Sequence, residues 1–208
     1  DDNDNQDGKR ASELTVDLMR NGTEVAGTVT LNEENGWTGI VENLDKYTGG
    51  VKNGYTWVEK NLPEGYSLTE TKKEVTEATE DKLEAAITTL TNKHTPGKVS
   101  ASILKIWDDA KNQDGKRPSS ITIRLYADGT ELTDKVQTVT AADNWEWTFT
   151  DLPKYAEGKE IVYTITEDAV AGYTTSVRGY NVTNTYTPEV VRVVIRKVWD
   201  DNENQDGK

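Results

Sequence analysis

Apolar and polar residues alternate in short runs along most of the chain, and the second half shows the pattern most clearly. The runs ASILKIW, SITIRLY, VQTVTA, NWEWTFTDL, EIVYTITE, GYTTSV and YNVTNTY follow one another between residues 101 and 186, with turn signals such as Ala127-Asp128-Gly129 between them. A period of two sends successive side chains to opposite faces of a strand, so each run reads as a half-buried β-strand. Strands this short and this closely spaced predict an antiparallel β-sandwich.

The chain also repeats itself. DDNDNQDGKR at 1–10 returns as DDAKNQDGKR at 108–117 and as DDNENQDGK at 200–208, at spacings of 107 and 92 residues. Other landmarks keep the same order: Trp37 answers Trp145, the segment from Leu44 to Tyr47 answers that from Leu152 to Tyr155, and Gly65-Tyr66 answers Gly172-Tyr173. TNKHTP at 91–96 answers TNTYTP at 183–188. A period this long marks tandem domains rather than a short-period solenoid.

The first copy is longer because Tyr66 and Asn92 lie 26 residues apart where Tyr173 and Asn184 lie 11 apart. The insertion, about TETKKEVTEATEDKLEAA, fits either a short solvated helix or a polar hairpin. A strand ending in Lys-x-Trp precedes the second and third copies of the loop, as Lys105-Ile106-Trp107 and Lys197-Val198-Trp199, whereas the first copy begins just after the place of that strand. The expected organisation is a repeat over 1–96 lacking its first strand, a complete repeat over 97–188, and the first strand of a following repeat over 189–208.

Composition narrows the function. There are 29 Thr, 6 Trp and 9 Tyr against a single Phe, a balance that leans all-β. A net charge of −13 sets nucleic acid and anionic membranes aside as partners. With no Cys and a single His, thiol catalysis, disulfides, zinc fingers and histidine triads drop out. No apolar run approaches the roughly 18 residues of a membrane span, and DDNDNQDGKR lacks the features of a signal peptide, so a soluble fragment without membrane insertion is expected. The Asp/Asn-rich loop before Gly8, Gly115 and Gly207 lacks the leading Asp and closing Glu of a calcium loop and reads as a solvated turn. Neither a metal nor a cofactor is expected.

Three polar residues break the alternation. Ile103, Lys105 and Trp107 share one face, as do Tyr163, Ile165 and Glu167, and Val182, Asn184 and Tyr186. The other copies repeat the anomaly at Lys197, Glu59 and Asn92. Such a trio either forms a satisfied hydrogen-bonded cluster or reacts. Burial lowers the pKa of a lysine and raises that of a carboxylic acid, leaving a nucleophilic amine beside a proton shuttle. If the amine also meets the Asn carboxamide, ammonia can leave and a Lys–Asn isopeptide bond remains.

The pattern K-x-W-D-D…NQDGKRP…W…F-x-DLPKY…G…I-x-YTITED…GY…TNTY resembles the collagen-adhesin B-type (CnaB-like) repeat of Gram-positive surface adhesins and pilins, over essentially the whole chain. The resemblance implies tandem all-β, inverse immunoglobulin-like sandwiches forming the stalk of a secreted, wall-anchored protein. It also implies an autocatalytic bond between Lys105 and Asn184 assisted by Glu167, and no turnover enzyme. Asn92 and Glu59 answer Asn184 and Glu167 in the first repeat, but no Lys stands at the matching place. By the loop-entropy relation for disulfides, a bond across a loop of this size stabilises by about 4 to 5 kcal/mol.

The neighbouring repeats of the same protein are the expected partners. The orphan strand of 189–208 complements a repeat that lacks one, so head-to-tail self-association is expected too, with Lys197 joining Asn92 of another molecule under assistance from Glu59. The alternative is a module that binds a host matrix protein or glycan. His94 occupies the place of Tyr186 and reads as a packed aromatic substitute, and alternation puts Trp145 and Trp147 beside Phe149 in the core.

Overall fold

The computed structural model describes residues 2–76, 85–200 and 202–207, which cluster into two compact units: residues 1–100 with 150–162, and residues 101–149 with 163–208. Nearly all regular structure is β.

In the first repeat, β1 (Glu13–Arg20), β2 (Glu24–Asn32) and β5 (Tyr55–Lys60) form a three-stranded sheet in the order β2-β1-β5. Leu14, Val16 and Leu18 alternate along β1 and bury their side chains. Two hairpins accompany this sheet: the two-residue strands β3 (Tyr47–Thr48) and β4 (Val51–Lys52), and the longer β6 (Ser67–Thr76) with β7 (Ala85–Lys93). The insertion therefore resolves to a polar hairpin, because its long charged side chains alternate with Thr and Val on an exposed ladder. The part of it at 77–84 lies outside the described residues.

The second repeat builds two sheets. β9 (Ser120–Ala127), β10 (Thr130–Thr140) and β14 (Tyr163–Glu167) form one in the order β10-β9-β14. Asp128 and Gly129 join β9 to β10 with φ of 48° and 81°, the left-handed pair that matches the twist of a two-residue hairpin. The other sheet runs β11-β8-β16-β15, from β8 (Lys98–Asp108), β11 (Glu146–Pro153), β15 (Thr174–Arg178) and β16 (Asn181–Thr185). A small hairpin of β12 (Tyr155–Ala156) and β13 (Lys159–Glu160) completes the set. Pairing is antiparallel apart from β8 and β16, which run parallel with Val182 opposite Lys105 and Asn184 opposite Trp107. Ile121, Ile123, Leu125, Val139 and Ile165 from the first sheet, and Ala101, Ile103, Phe149 and Val182 from the second, are all buried. This is the core of a β-sandwich.

The two repeats differ in how their strands are paired. In the second, β11 is paired to β8 alone, and β16 has β8 on one side and β15 on the other. In the first, β7 is paired only to β6 among the described residues, and residues 38–45, which answer β11, form no strand. After β16 the described residues include no strand, and Val190, Val191, Val193 and Ile195 are each at least 88% exposed.

Each Asp/Asn-rich loop contains three consecutive left-handed residues that are not glycine: Asn3-Asp4-Asn5, Ala110-Lys111-Asn112 and Asn202-Glu203-Asn204, with φ between 50° and 61°. Asn tolerates this conformation, whereas Ala, Lys and Glu adopt it only when their surroundings impose it.

Candidate functional site: a buried Lys–Glu–Asn cluster

Lys105 is contributed by β8, Glu167 by the end of β14 and Asn184 by β16. The Lys105 and Glu167 side chains are wholly withdrawn from solvent, with Nζ 3.5 Å from Glu167 Oε1. Asn184 is fully buried as well. Lys105 Nζ donates to the carbonyls of Ile106 (3.2 Å) and Val182 (3.4 Å) and lies 4.2 Å from the centre of the Trp107 ring. Burial pulls the amine down to about 8, against the opposing pull of Glu167.

The polar groups in this pocket are incompletely satisfied. Among the described residues, Asn184 Oδ1 and Nδ2, Glu167 Oε1 and Trp107 Nε1 are buried without a hydrogen-bond partner. Orphan buried polar atoms are rare and costly, on the order of 1 to 3 kcal/mol each, so several in one place require an explanation. Glu167 Oε2 is satisfied by Thr175 Oγ1, which donates to it at 2.9 Å.

The first repeat brings Glu59 and Asn92 together differently: Asn92 Nδ2 donates directly to Glu59 Oε1 at 2.6 Å. No lysine joins them among the described residues. Lys197, the third copy of the lysine, lies on the exposed segment after β16, donates to the Val198 carbonyl at 2.8 Å and sits over the ring of its own neighbour Trp199.

Alternation did not reveal the groups that frame these sites. Asp109 is buried and accepts from Arg117 Nε (2.9 Å) and Nη2 (2.7 Å), from the Asn112 amide (3.0 Å) and from Tyr173 Oη (3.0 Å). The guanidinium beside it is the chief reason its carboxyl falls to about 2. Asp2 repeats the arrangement with Arg10 and Tyr66 and is likewise held well below the carboxylate range, chiefly by Arg10. The spacing of Asp and Arg within the repeated DD…GKR loop was the available signal.

His94 is buried and packed on Tyr66, with ring centres 4.8 Å apart. It also hydrogen-bonds through both nitrogens, Nε2 at 2.7 Å from Asp7 Oδ2 and Nδ1 at 3.0 Å from the Gly65 carbonyl. Both facing atoms are acceptors, so the doubly protonated ring satisfies both, and the pKa is raised chiefly by Asp7. Tyr186 fills the same place in the second repeat and donates to Asp114 Oδ2 at 3.0 Å.

The tryptophans depart from the expected core packing. Trp145 has a φ of 60°, which breaks the alternation before β11 begins, and its ring meets Trp107 edge-on at 5.1 Å. Trp147 touches Phe149 but remains 37% exposed. Trp37 takes the same left-handed turn, with a φ of 56°.

Comparison with known proteins matches this architecture. The family described as Cna protein B-type domain matches residues 1–93 and again 101–185. The chain is 45% identical over its whole length to a collagen adhesin of Staphylococcus aureus, of which it spans 17%. The crystal structure of two B repeat units of the collagen-binding protein of Staphylococcus aureus superposes with a TM-score of 0.73 at 44% identity, covering all of this chain and 52% of that one. With both repeats matched by one family and the sheets in agreement with a solved tandem of its repeats, the chain belongs to the Cna protein B-type domain family.

Proposed function

We propose that the chain is a load-bearing stalk segment of a secreted, wall-anchored surface adhesin, and that Lys105 and Asn184 join in an autocatalytic isopeptide bond. Three buried polar groups carry this reading: Lys105, its pKa lowered, lies 3.5 Å from Glu167, and on the strand paired to its own, Asn184 is buried with neither amide atom hydrogen-bonded among the described residues. Lys105 Nζ attacks Asn184 Cγ, and the carbonyl electron pair moves to Oδ1. Glu167 Oε1 takes a proton from the attacking nitrogen and delivers it to Nδ2. Collapse of the intermediate breaks the Cγ–Nδ2 bond and releases ammonia, restoring the carboxylate. The step occurs once per molecule, so the protein is not a turnover enzyme. Intact mass under denaturing conditions tests it: a monomer lighter by one ammonia is expected, and an unmodified mass overturns it.

The complementarity of the chain's two ends supports a second element of the reading. The segment carrying Ile195, Lys197 and Trp199 repeats Ile103, Lys105 and Trp107 of β8, and the first repeat has β7 and residues 38–45 without such a neighbour among the described residues. Residues 189–208 of one molecule add to the first repeat of another along β7, bringing Lys197 to Asn92 and Glu59. Oligomers that survive boiling in detergent are the expected result for the full chain. A chain cut after Pro188 that assembles equally well overturns strand donation and leaves the Lys105–Asn184 bond untouched.

A further inference from the structure

A carboxylate that relays a proton has two equivalent oxygens, and a buried one turns toward whichever donors surround it. In the second repeat one oxygen is occupied: Thr175 Oγ1 donates to Glu167 Oε2 at 2.9 Å, while Oε1 is left 3.5 Å from Lys105 Nζ. Thr175 stands on the edge strand β15, directly opposite Asn184 in the ladder. It therefore reaches Glu167 from the side of the amide.

The first repeat offers a comparison, in which the lysine is absent among the described residues as well. Leu68 is the residue opposite Asn92 there, so the place of Thr175 holds a side chain with no hydrogen-bonding group. In that repeat Glu59 Oε1 takes the Asn92 amide at 2.6 Å. A carboxylate bound to the leaving nitrogen in the ground state is poorly placed to collect a proton from an incoming amine.

We propose that Thr175 is a positioning residue for isopeptide formation: its hydroxyl occupies Glu167 Oε2 and thereby directs Oε1 to the Lys105 amine. The inference rests on the proposed Lys105–Asn184 bond. Thr175 touches neither reacting atom in this arrangement and acts through Glu167 alone.

The experiment follows ammonia loss by intact mass in the full chain during cell-free synthesis, with aliquots quenched in denaturant. Thr175→Val keeps the shape of the side chain and removes the hydroxyl, and should slow the reaction by about tenfold, the effect of one lost hydrogen bond to a charged group. Thr175→Ser restores the hydroxyl and should return the rate to within about twofold of the parent. In a Lys105→Ala background, where no bond can form, the melting temperatures of the Val and Ser variants measure what the hydroxyl adds to folding, and the rates of the folded variants are compared with that cost known. If Thr175→Val does not fold, Thr175→Ala with the same controls decides. A valine or alanine variant that folds and reacts at the parental rate, or a serine variant as slow as valine, overturns the role of Thr175. A parent chain that loses no ammonia overturns the isopeptide reading itself and this inference with it.

Discussion

The two repeats share a family and most of their landmarks, yet their strands are paired differently among the described residues. In the second, β8 gives β11 its partner, covers one edge of β16, and carries Lys105 into the interior with the half-buried Trp107 ring beside it. In the first, the counterpart of β11 at 38–45 forms no strand and Asn92 donates to Glu59. One strand thus organises two others and the polar site together. In the second repeat the packing and the buried polar cluster share that single element.

The largest test of this contrast is Lys105→Ala. It should abolish ammonia loss and lower the unfolding free energy of the second repeat by about 4 to 5 kcal/mol, the loop-closure value, read as a shift in denaturant midpoint. An unchanged midpoint would mean the second repeat owes its order to packing alone.

Next in size is Asp109→Ala, which leaves Arg117 without its buried partner. About 3 kcal/mol should be lost, the lower end for a broken buried pair because Arg117 is partly exposed. Calorimetry should show the transition of the second repeat moving while the first stays.

Proton dependence sharpens the comparison further. The Lys105 amine titrates near 8, so bond formation should quicken about tenfold per unit as pH rises toward that value and level off above it. A rate that is flat between pH 5 and 8 would contradict a neutral-amine nucleophile. Time-resolved intact mass is the readout.

The smallest effect belongs to His94. Its folded pKa is raised above the unfolded value near 6.5, so its contribution is fully present below that value and is lost as pH rises through the folded one. Asp7 raises it, Lys9 opposes, and Tyr66 packs against the ring as a neutral phenol. Because this is the only His in the chain, its ring protons can be followed by NMR without assignment. His94→Tyr should remove the pH dependence of the first repeat in this range and leave the second unaffected.

Much of this was readable because strands have a period of two. Alternation set Lys105, Glu167 and Asn184 on inward faces, where they lie, and the internal repeat announced two copies of one β domain. Alternation also set Trp147 beside Phe149, where the rings meet, but did not bury it: Trp147 lies near the start of β11, by the left-handed turn at Trp145 where the period ends, and stays 37% exposed. The clusters around Asp2 and Asp109 were hidden for a related reason: they join loops, which have no period, to tyrosines more than sixty residues away. Thr175 was one threonine among many in a Thr-rich chain, and only its distance to Glu167 distinguishes it. The insertion at 69–86 was ambiguous because charged residues with Ala and Leu favour helix while Thr and Val favour strand.

The parallel pairing of β8 with β16 has a mechanical consequence. The chain enters β8 at Lys98 and leaves β16 at Thr185, so a pull on both ends of the repeat acts at opposite ends of the pair. Its five rungs, from Asn181–Leu104 to Thr185–Asp108, are then loaded in shear and must fail together. In the β6–β7 hairpin of the first repeat, Ser67 lies opposite Lys93, and a pull on those two residues opens the ladder one rung at a time like a zipper. The direction of one strand therefore gives the β8–β16 pair a shear geometry that an antiparallel hairpin such as β6–β7 does not have, before any covalent bond is counted.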